Sequence, residues 1–307
     1  MPTMSIPSRV SGKQKKIYLG IDIGGTMIKW GLMDATGTIL ENGMIATEVP
    51  RGQQQFLDKL LGIIANADER QIAGVGISTA GIVDSHAGTI IDGIQNIPFL
   101  KKLNLKEYLE ARTGLPVRVL NDVKAAALGE KWIGAGRNCE NFFCMTIGTG
   151  IGGCLVIDSH VFEGAHFRAG EIGYLDYEDE QHFFEKRFST KGLIETAQCE
   201  LGLPEISGSE FFTKIRQDDP NAVAIFDRWI SRIVKAIATV IILFDPEKII
   251  IGGGITEQGS LLLDPINNQL AHCLPDGFAQ QCTVELAACR NDAGILGAVY
   301  FLMEDEL

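Results

Sequence analysis

Ile21-Asp22-Ile23-Gly24-Gly25-Thr26 is the stretch on which the reading of this chain turns. The apolar run Ile17-Tyr18-Leu19-Gly20-Ile21 leads into it, and a second run, Ile28 to Met33, leaves it. Two short runs with β-branched residues, broken by Gly-Gly, predict a hairpin. The glycines remove the Cβ atoms that would hold a ligand off the backbone, and they allow φ > 0. Exposed N–H groups in such a turn form an anion-sized concavity. Thr26 adds a hydroxyl, and Asp22 a carboxylate able to hold a hydrated cation. The functional reading is a phosphate and Mg²⁺ clamp; an ordinary tight hairpin would show the same residues.

A second stretch repeats the layout. Phe142 to Ile147 is apolar, Gly148-Thr149-Gly150-Ile151-Gly152-Gly153 follows, and Cys154 to Ile157 is apolar again. The turn matches G-x-G-x-x-G, but a dinucleotide fingerprint needs a helix after the glycines. Cys-Leu-Val-Ile-Asp predicts a strand instead, and no G-x-x-x-x-G-K-[ST] occurs. Two Gly/Thr hairpins, one in each half, suit a nucleotide phosphate tail held between two domains.

At 307 residues the chain is long enough for about two domains with real cores. Its 46% hydrophobic and 21% charged content is that of a soluble globular protein. A formal net charge of −12 disfavours nucleic acid and anionic membrane as partners, which need a basic footprint. The 7 cysteines form no C-x-x-C or C-x-C pair, which argues against a disulfide framework and a thiolate zinc site and for reduced thiols in a cytoplasmic protein. Residues 1–16 are polar, lack the apolar segment of a signal peptide and are expected to be a disordered tail. The longest apolar stretch, Ile230 to Phe244, contains Arg232 and Lys235 and is too short to span a bilayer.

In order, the pattern predicts a three-strand meander from Ile17 to Thr47 and a helix over Gln53–Ala65, then a strand over Ile72–Ile77 and a loop over Ser78–Asp84. A helix over Leu103–Thr113, a strand over Val117–Leu120 and a helix over Val123–Trp132 complete the first half. Beyond the second hairpin come a Gly-broken loop at Arg168–Tyr174 and a charged, aromatic stretch at Asp176–Phe188 with no clear period. Helices are predicted over Lys191–Glu200, Glu210–Gln217 and Asn221–Leu243, the last stopped by Pro246. A strand over Lys248–Ile251 runs into Gly252-Gly253-Gly254, and helices follow over Ser260–Leu270 and Ala293–Met303. Strands alternating with helices argue an α/β architecture. Ligands in such folds bind at the carboxyl ends of strands.

The stretches Gly20 to Thr26, Leu120-Asn121-Asp122, Thr146 to Gly153, Gly170-Glu171-Ile172-Gly173 and Ile251 to Ile255 together resemble the ROK family of sugar kinases and repressors, in the actin-like, hexokinase-like ATPase superfamily. They fall in the family's order from Ile17 to the C-terminus. The resemblance implies a two-lobed, ribonuclease H-like ATPase fold with a central cleft, sugar deep in it and ATP across its mouth. It implies an N-terminal lobe of residues 17–121 with 292–307 and a C-terminal lobe of 122–291, in a cytoplasmic homodimer. The implied cofactor-binding residues are Asp22, Gly24, Gly25, Thr26, Thr146, Gly148, Thr149, Gly150 and Gly152 for phosphates, and Gly253 and Gly254 beside the nucleoside. Asp22 is expected to hold Mg²⁺ through water. Thr79, Gly81, Asn96, Asn121 and Glu171 are expected to hold sugar hydroxyls, with Tyr174 also at the substrate.

Asp122 is the expected catalytic base. A sugar hydroxyl must lose its proton as it attacks the γ-phosphoryl, and a carboxylate in reach can accept that proton. The alternative is a helix N-cap, because Asp122 stands just before a predicted helix. Asn121 has the same two readings, turn residue or sugar ligand. The departures from the family pattern matter as well. The family often has a His three residues after the Glu of Gly-Glu-Ile-Gly, followed by a cysteine-rich zinc motif; here the position is Tyr174, and Tyr174 to Gln198 contains no Cys. No zinc site is expected. The S-x-P-G loop of the family is Ser78-Thr79-Ala80-Gly81, and Met27 replaces the usual Lys after Gly-Gly-Thr.

These departures look most like the β-glucoside kinase branch. The expectation is an ATP-dependent kinase phosphorylating the 6-hydroxyl of a hexose or β-glucoside such as cellobiose. N-acetylmannosamine kinase and glucokinase are the alternatives; outside enzymes, a catalytically dead sugar-binding regulator is. A family repressor would carry a DNA-binding domain before the first strand, and only sixteen residues precede Ile17.

Overall fold

The first half begins with strands β1 (Ile17–Ile23), β2 (Met27–Asp34) and β3 (Ile39–Ala46), the expected meander. Helix α1 (Gln53–Asp68) and strand β4 (Val75–Thr79) follow, then a short pair, β5 (Ile82–Asp84) and β6 (Thr89–Asp92). Helix α2 (Leu105–Thr113), β7 (Val117–Asn121) and α3 (Asp122–Ile133) come next. The second half holds β8 (Phe142–Ile147), β9 (Ile151–Ile157), β10 (His160–Phe162), α4 (Phe184–Phe188), α5 (Thr190–Leu201) and α6 (Gly208–Arg216). It ends with α7 (Pro220–Phe244), β11 (Lys248–Gly252), α8 (Ser260–Cys273), β12 (Thr283–Leu286) and α9 (Ala293–Met303). This computed structural model describes residues 16–93, 96–275, 277–278 and 281–304. The tail expected over residues 1–16 lies outside the described residues except for Lys16.

One strand pattern occurs twice. The first sheet has the order β3-β2-β1-β4-β7, and the second β10-β9-β8-β11-β12. In each, an antiparallel meander is extended by two parallel strands. The carboxyl ends of β1, β4 and β7 therefore lie side by side in register, with Asp22 opposite Ser78 and Thr79 opposite Asn121. In the second sheet Thr146 stands opposite Gly252.

Each sheet has its own core. Phe56, Leu57, Leu60 and Ile64 of α1 cluster with Leu19, Ile21 and Ile77. Phe226, Trp229, Ile230, Ile233 and Ile237 of α7 cluster with Phe143, Met145, Ile249 and Ile251. Burying each such side chain contributes about 1.5–3 kcal/mol before entropy is counted. Helix α7 starts where the Asp219 side chain accepts hydrogen bonds from the Asn221 and Ala222 amides, with Pro220 at its first position. It stops at Asp245, whose left-handed φ of 46° precedes Pro246.

Helix α9 is apolar on all sides because it is covered on all sides. Its backbone lies directly on the first sheet: a Cβ at Gly20 would sit 2.5 Å from the Ile295 carbonyl oxygen, and one at Gly76 2.1 Å from that of Ala298. On its other side it meets α3, where a Cβ at Gly297 would sit 1.6 Å from the Ala125 carbonyl oxygen. The last helix is thus wedged between the first sheet and the helix that leads into the second.

Some expectations need correction. The loop expected over Ser78–Asp84 contains the end of β4 and all of β5, which pairs with β6. Its turn forms because Asp84 Oδ1 accepts from the His86 and Ala87 amides. The aperiodic stretch Asp176–Phe188 ends in α4. Strands β10 and β12 have no sequence signal, being three and four residues long with mixed exposure. Gly24, Gly25, Gly148 and Gly150 do not take positive φ. At Gly24 close approach is the constraint, since a Cβ would lie 2.9 Å from the Met27 carbonyl oxygen. At Gly150 the neighbour is Glu185, whose carboxylate would lie 2.5 Å from a Cβ.

Candidate active site

Asp22 is the last residue but one of the central strand of the first sheet. Ser78 Oγ donates to its Oδ1 at 2.7 Å, and its carboxyl faces Gly294 at the start of α9. Burial raises its pKa, opposed by the Ser78 hydrogen bond and the Lys29 charge. The Gly24–Thr26 turn beyond it is braced by Thr47, whose hydroxyl donates to the Gly24 carbonyl at 2.7 Å and whose amide donates to that of Thr26 at 2.8 Å. Gly25 meets Asn96: a Cβ there would lie 3.1 Å from the Asn96 Cβ.

Asn121, not Asp122, caps α3. Its Oδ1 accepts from the Val123 amide at 3.0 Å and the Lys124 amide at 3.2 Å. Its Nδ2 donates to the Gly81 carbonyl and to Asp122 Oδ1, both at 2.9 Å. Asn121 therefore fixes the glycine turn, at φ 95°, and orients the neighbouring carboxylate. Asp122 Oδ1 also accepts from the Val123 amide at 2.9 Å. The Asp122 pKa is pushed up to about 7, first by burial and then by the charge of Asp22, with Glu171 adding to it and the Val123 amide opposing. A carboxyl poised there can take and return a proton near neutral pH.

The second glycine turn reaches the same place from the other sheet. Gly152 packs on α3, where a Cβ would lie 2.4 Å from Val123 Cγ2, next to Asp122. Gly150 lies under Glu185, whose Oε2 accepts from the Ile151 amide at 2.9 Å. Thr149 is exposed at the tip, and a Cβ at Gly148 would meet nothing within 4 Å. Gly253, at φ 87°, brings the end of β11 against the Ile147 carbonyl, and Gly254 is open. Thr146 stands between Gly152 and Gly252 in the sheet.

Glu171 follows Gly170, which with Gly153 forms a backbone crossing that leaves no room for a side chain. Burial raises its pKa, with Lys124 opposing and Glu185 adding. Glu171 and Tyr174 line a cavity of about 560 Å³ together with Asp92, Pro98, Lys101 and Arg168. Both halves of the chain thus contribute to it. Tyr174 stacks on Phe183 at 5.3 Å and 13°, and Tyr177 leans on both rings. Phe183 is buried, while Tyr174 and Tyr177 are 54% and 56% exposed. Thr79 is the outlier among the expected sugar contacts: it is wholly buried, and its hydroxyl donates to the Ala80 carbonyl at 3.3 Å.

Four residues that sequence reasoning missed tie the site together. Ser78 and Glu185 hold Asp22 and the second turn. Lys124, buried, donates to Glu163 at 2.8 Å and to the Phe167 carbonyl at 3.0 Å. Glu163 also accepts from Ser85 at the tip of the β5–β6 pair, which straps the first half to the second. No single-residue pattern marks these contacts; only Ser78, at a predicted strand end, has a positional signal. Among the described residues no three His, Cys, Asp or Glu side chains group as a metal cage. No helix among them is long and apolar enough to cross a membrane.

Duplicated sheets, glycine turns at facing strand ends and two aspartates beside them define the two-lobed actin-like ATPase fold. The chain belongs to the ROK family, whose profile matches residues 18–305. A β-glucoside kinase of Listeria innocua is 34% identical over 93% of this chain and 97% of its own. A glucokinase of Halalkalibacterium halodurans is 30% identical over 94% and 96%. The crystal structure of a ROK family glucokinase from Streptomyces griseus, in complex with glucose and AMPPNP, superimposes with a TM-score of 0.79 at 31% identity, covering 92% of this chain and 97% of that one.

Proposed function

We propose that this chain, an ATP-dependent carbohydrate kinase, transfers the γ-phosphoryl of ATP to the 6-hydroxyl of a glucose unit carried as a β-glucoside such as cellobiose. The observation that carries the choice of acceptor is the cavity beyond Glu171, open at Tyr174. In this reading Glu171 holds the first ring, with Asn96 and the Gly81 turn beside it. Asn121 reaches sugar only by exchanging a bond it already makes, so its main part is to aim Asp122.

Asp122 accepts the proton of the 6-hydroxyl as O6 bonds to the γ-phosphorus and the bond to the departing ADP oxygen breaks. The turns at Gly24–Thr26 and Gly148–Gly152 receive the phosphates, and Gly253–Gly254 border the nucleoside. Asp22 fits a hydrated Mg²⁺: it is one carboxylate at the mouth of a phosphate turn, and Ser78 donates to its Oδ1 rather than its Oδ2. When bound, Mg²⁺ offsets charge on the phosphates.

The test is the position of the phosphate on the product made from cellobiose and Mg-ATP, read by NMR. Phosphate on O6 of the non-reducing ring supports the reading. Phosphate at another hydroxyl, or glucose converted while cellobiose is not, contradicts it.

A further inference from the structure

The cavity beyond Glu171 has two unlike walls. One is aromatic and held in place. Phe183 covers one face of the Tyr174 ring, Tyr177 props both, and Lys186 lies 5.7 Å from the Phe183 centroid. Tyr174 also lines the cavity and is 54% exposed, so part of its ring is open to a ligand. A flat ring fixed in advance binds a pyranose or an aryl group with little ordering cost.

The second wall is charged. Lys101 Nζ lies 2.7 Å from Asp92 Oδ1, and the two side chains are 47% and 49% exposed. Such a half-exposed pair adds little stability, so either partner can turn to a ligand hydroxyl at small cost. The Gly93 amide also donates to Asp92 Oδ1, at 2.9 Å. The Arg168 side chain, on the same cavity, makes no hydrogen bond or ion pair within the described residues.

We propose that Asp92, Lys101 and Arg168, which line the same cavity as the Tyr174 ring, form a subsite that reads the hydroxyls of a second pyranose, so that this chain selects glycosyl over aryl aglycones. The inference rests on the β-glucoside reading above. A second sugar offers donors to Asp92 and acceptors to Lys101 and Arg168 while its apolar face lies on Tyr174. An aryl group satisfies only the ring and covers the three charged groups without giving them hydroxyl partners, which is unfavourable. Sites built to hydrogen-bond a hydroxyl reject analogues that lack it far better than apolar pockets reject added atoms.

The experiment compares kcat/KM for cellobiose, phenyl β-glucoside and glucose in the wild type and in Lys101→Met, Arg168→Met and Tyr174→Ala. The wild type is expected to favour cellobiose over phenyl β-glucoside. Lys101→Met and Arg168→Met should each lower that ratio about tenfold or more, the worth of a hydrogen bond to a charged group. Tyr174→Ala should lower both glycosides relative to glucose. All three positions are partly exposed, so melting temperatures serve only to verify folding. A cellobiose to phenyl β-glucoside ratio unchanged in both Met variants, with both glycosides still phosphorylated, overturns the subsite and leaves the β-glucoside reading intact. Glucose phosphorylated and both glycosides inert in the wild type overturns both.

Discussion

Around Asp122 every side-chain hydrogen-bonding atom of the capping residue has a fixed partner; beside the stacked ring of Tyr174 the charged groups are half exposed and loosely tied. Asn121 spends its carbonyl oxygen on the α3 amides and its amide on Gly81 and Asp122. Lys124, Glu163 and Ser85 form a buried network next to it. Tyr174, Asp92 and Lys101, by contrast, border open space. The difference teaches a division of labour. The end that moves a proton is over-determined, and the end that meets the variable part of an acceptor is not. A lost contact should be costly at the first end and selective at the second.

The largest effect is expected from Asp122→Asn, which keeps the hydrogen bond from Val123 but cannot take a proton. Turnover in a coupled ADP assay should fall about 10²- to 10⁴-fold; a loss of only a few-fold would remove Asp122 as the base. The same change should stabilise the ligand-free protein. The folded Asp122 pKa of about 7 lies above its ordinary 3.8. Any stability linked to its protonation is thus full below the unfolded pKa and is lost as pH rises through 7. Thermal unfolding at pH 8 should show the Asn variant ahead by on the order of 1–4 kcal/mol, with the advantage gone below pH 4.

Lys124→Met breaks the pair from one side and leaves the Glu163 carboxylate with only the Ser85 hydroxyl. Denaturant unfolding should show a loss of about 3–5 kcal/mol. A change under 1 kcal/mol would mean that the strap between the halves is not held by this pair.

The pH profile tests the proton-moving end without a mutation. The base must be ionised, so log kcat/KM should rise with slope one up to about pH 7 and then level, leaving activity at pH 5 lower by about 100-fold. An acid limb near pH 4 would mean that Asp122 is not desolvated. Smallest of all, Tyr174→Phe should change kcat/KM for cellobiose less than about twofold, because a ring face rather than the hydroxyl does the stacking. A tenfold loss would move the interaction to the phenol oxygen.

The same contrast explains what is legible in the sequence. Strand ends followed by glycine, or by a capping residue before a helix, announce themselves locally, so both turns and Asn121-Asp122 can be placed from the order of residues alone. The physical reason differs at the first turn, where contact between Gly24 and the Met27 carbonyl, not positive φ, excludes a side chain. The N-cap is legible only as one of two neighbours, and the helix chooses Asn121. What stays hidden are contacts between distant residues: Ser78 with Asp22 across 56 positions, Glu185 with Ile151 across 34, and Lys124 with Glu163 across 39. No periodicity encodes such pairs. The β5–β6 pair does have a signal, Asp84 four residues before Gly88, but the stretch Ser78–Asp84 reads as loop because its strands are three and four residues long.

The choice of acceptor is the central claim. The direct measurement is kcat/KM for cellobiose against glucose and N-acetylmannosamine, at one Mg-ATP concentration and one pH above 7. Cellobiose as the preferred acceptor is the predicted result. A clear preference for either monosaccharide, with cellobiose inert, would contradict the open acceptor end and leave a plain hexose kinase.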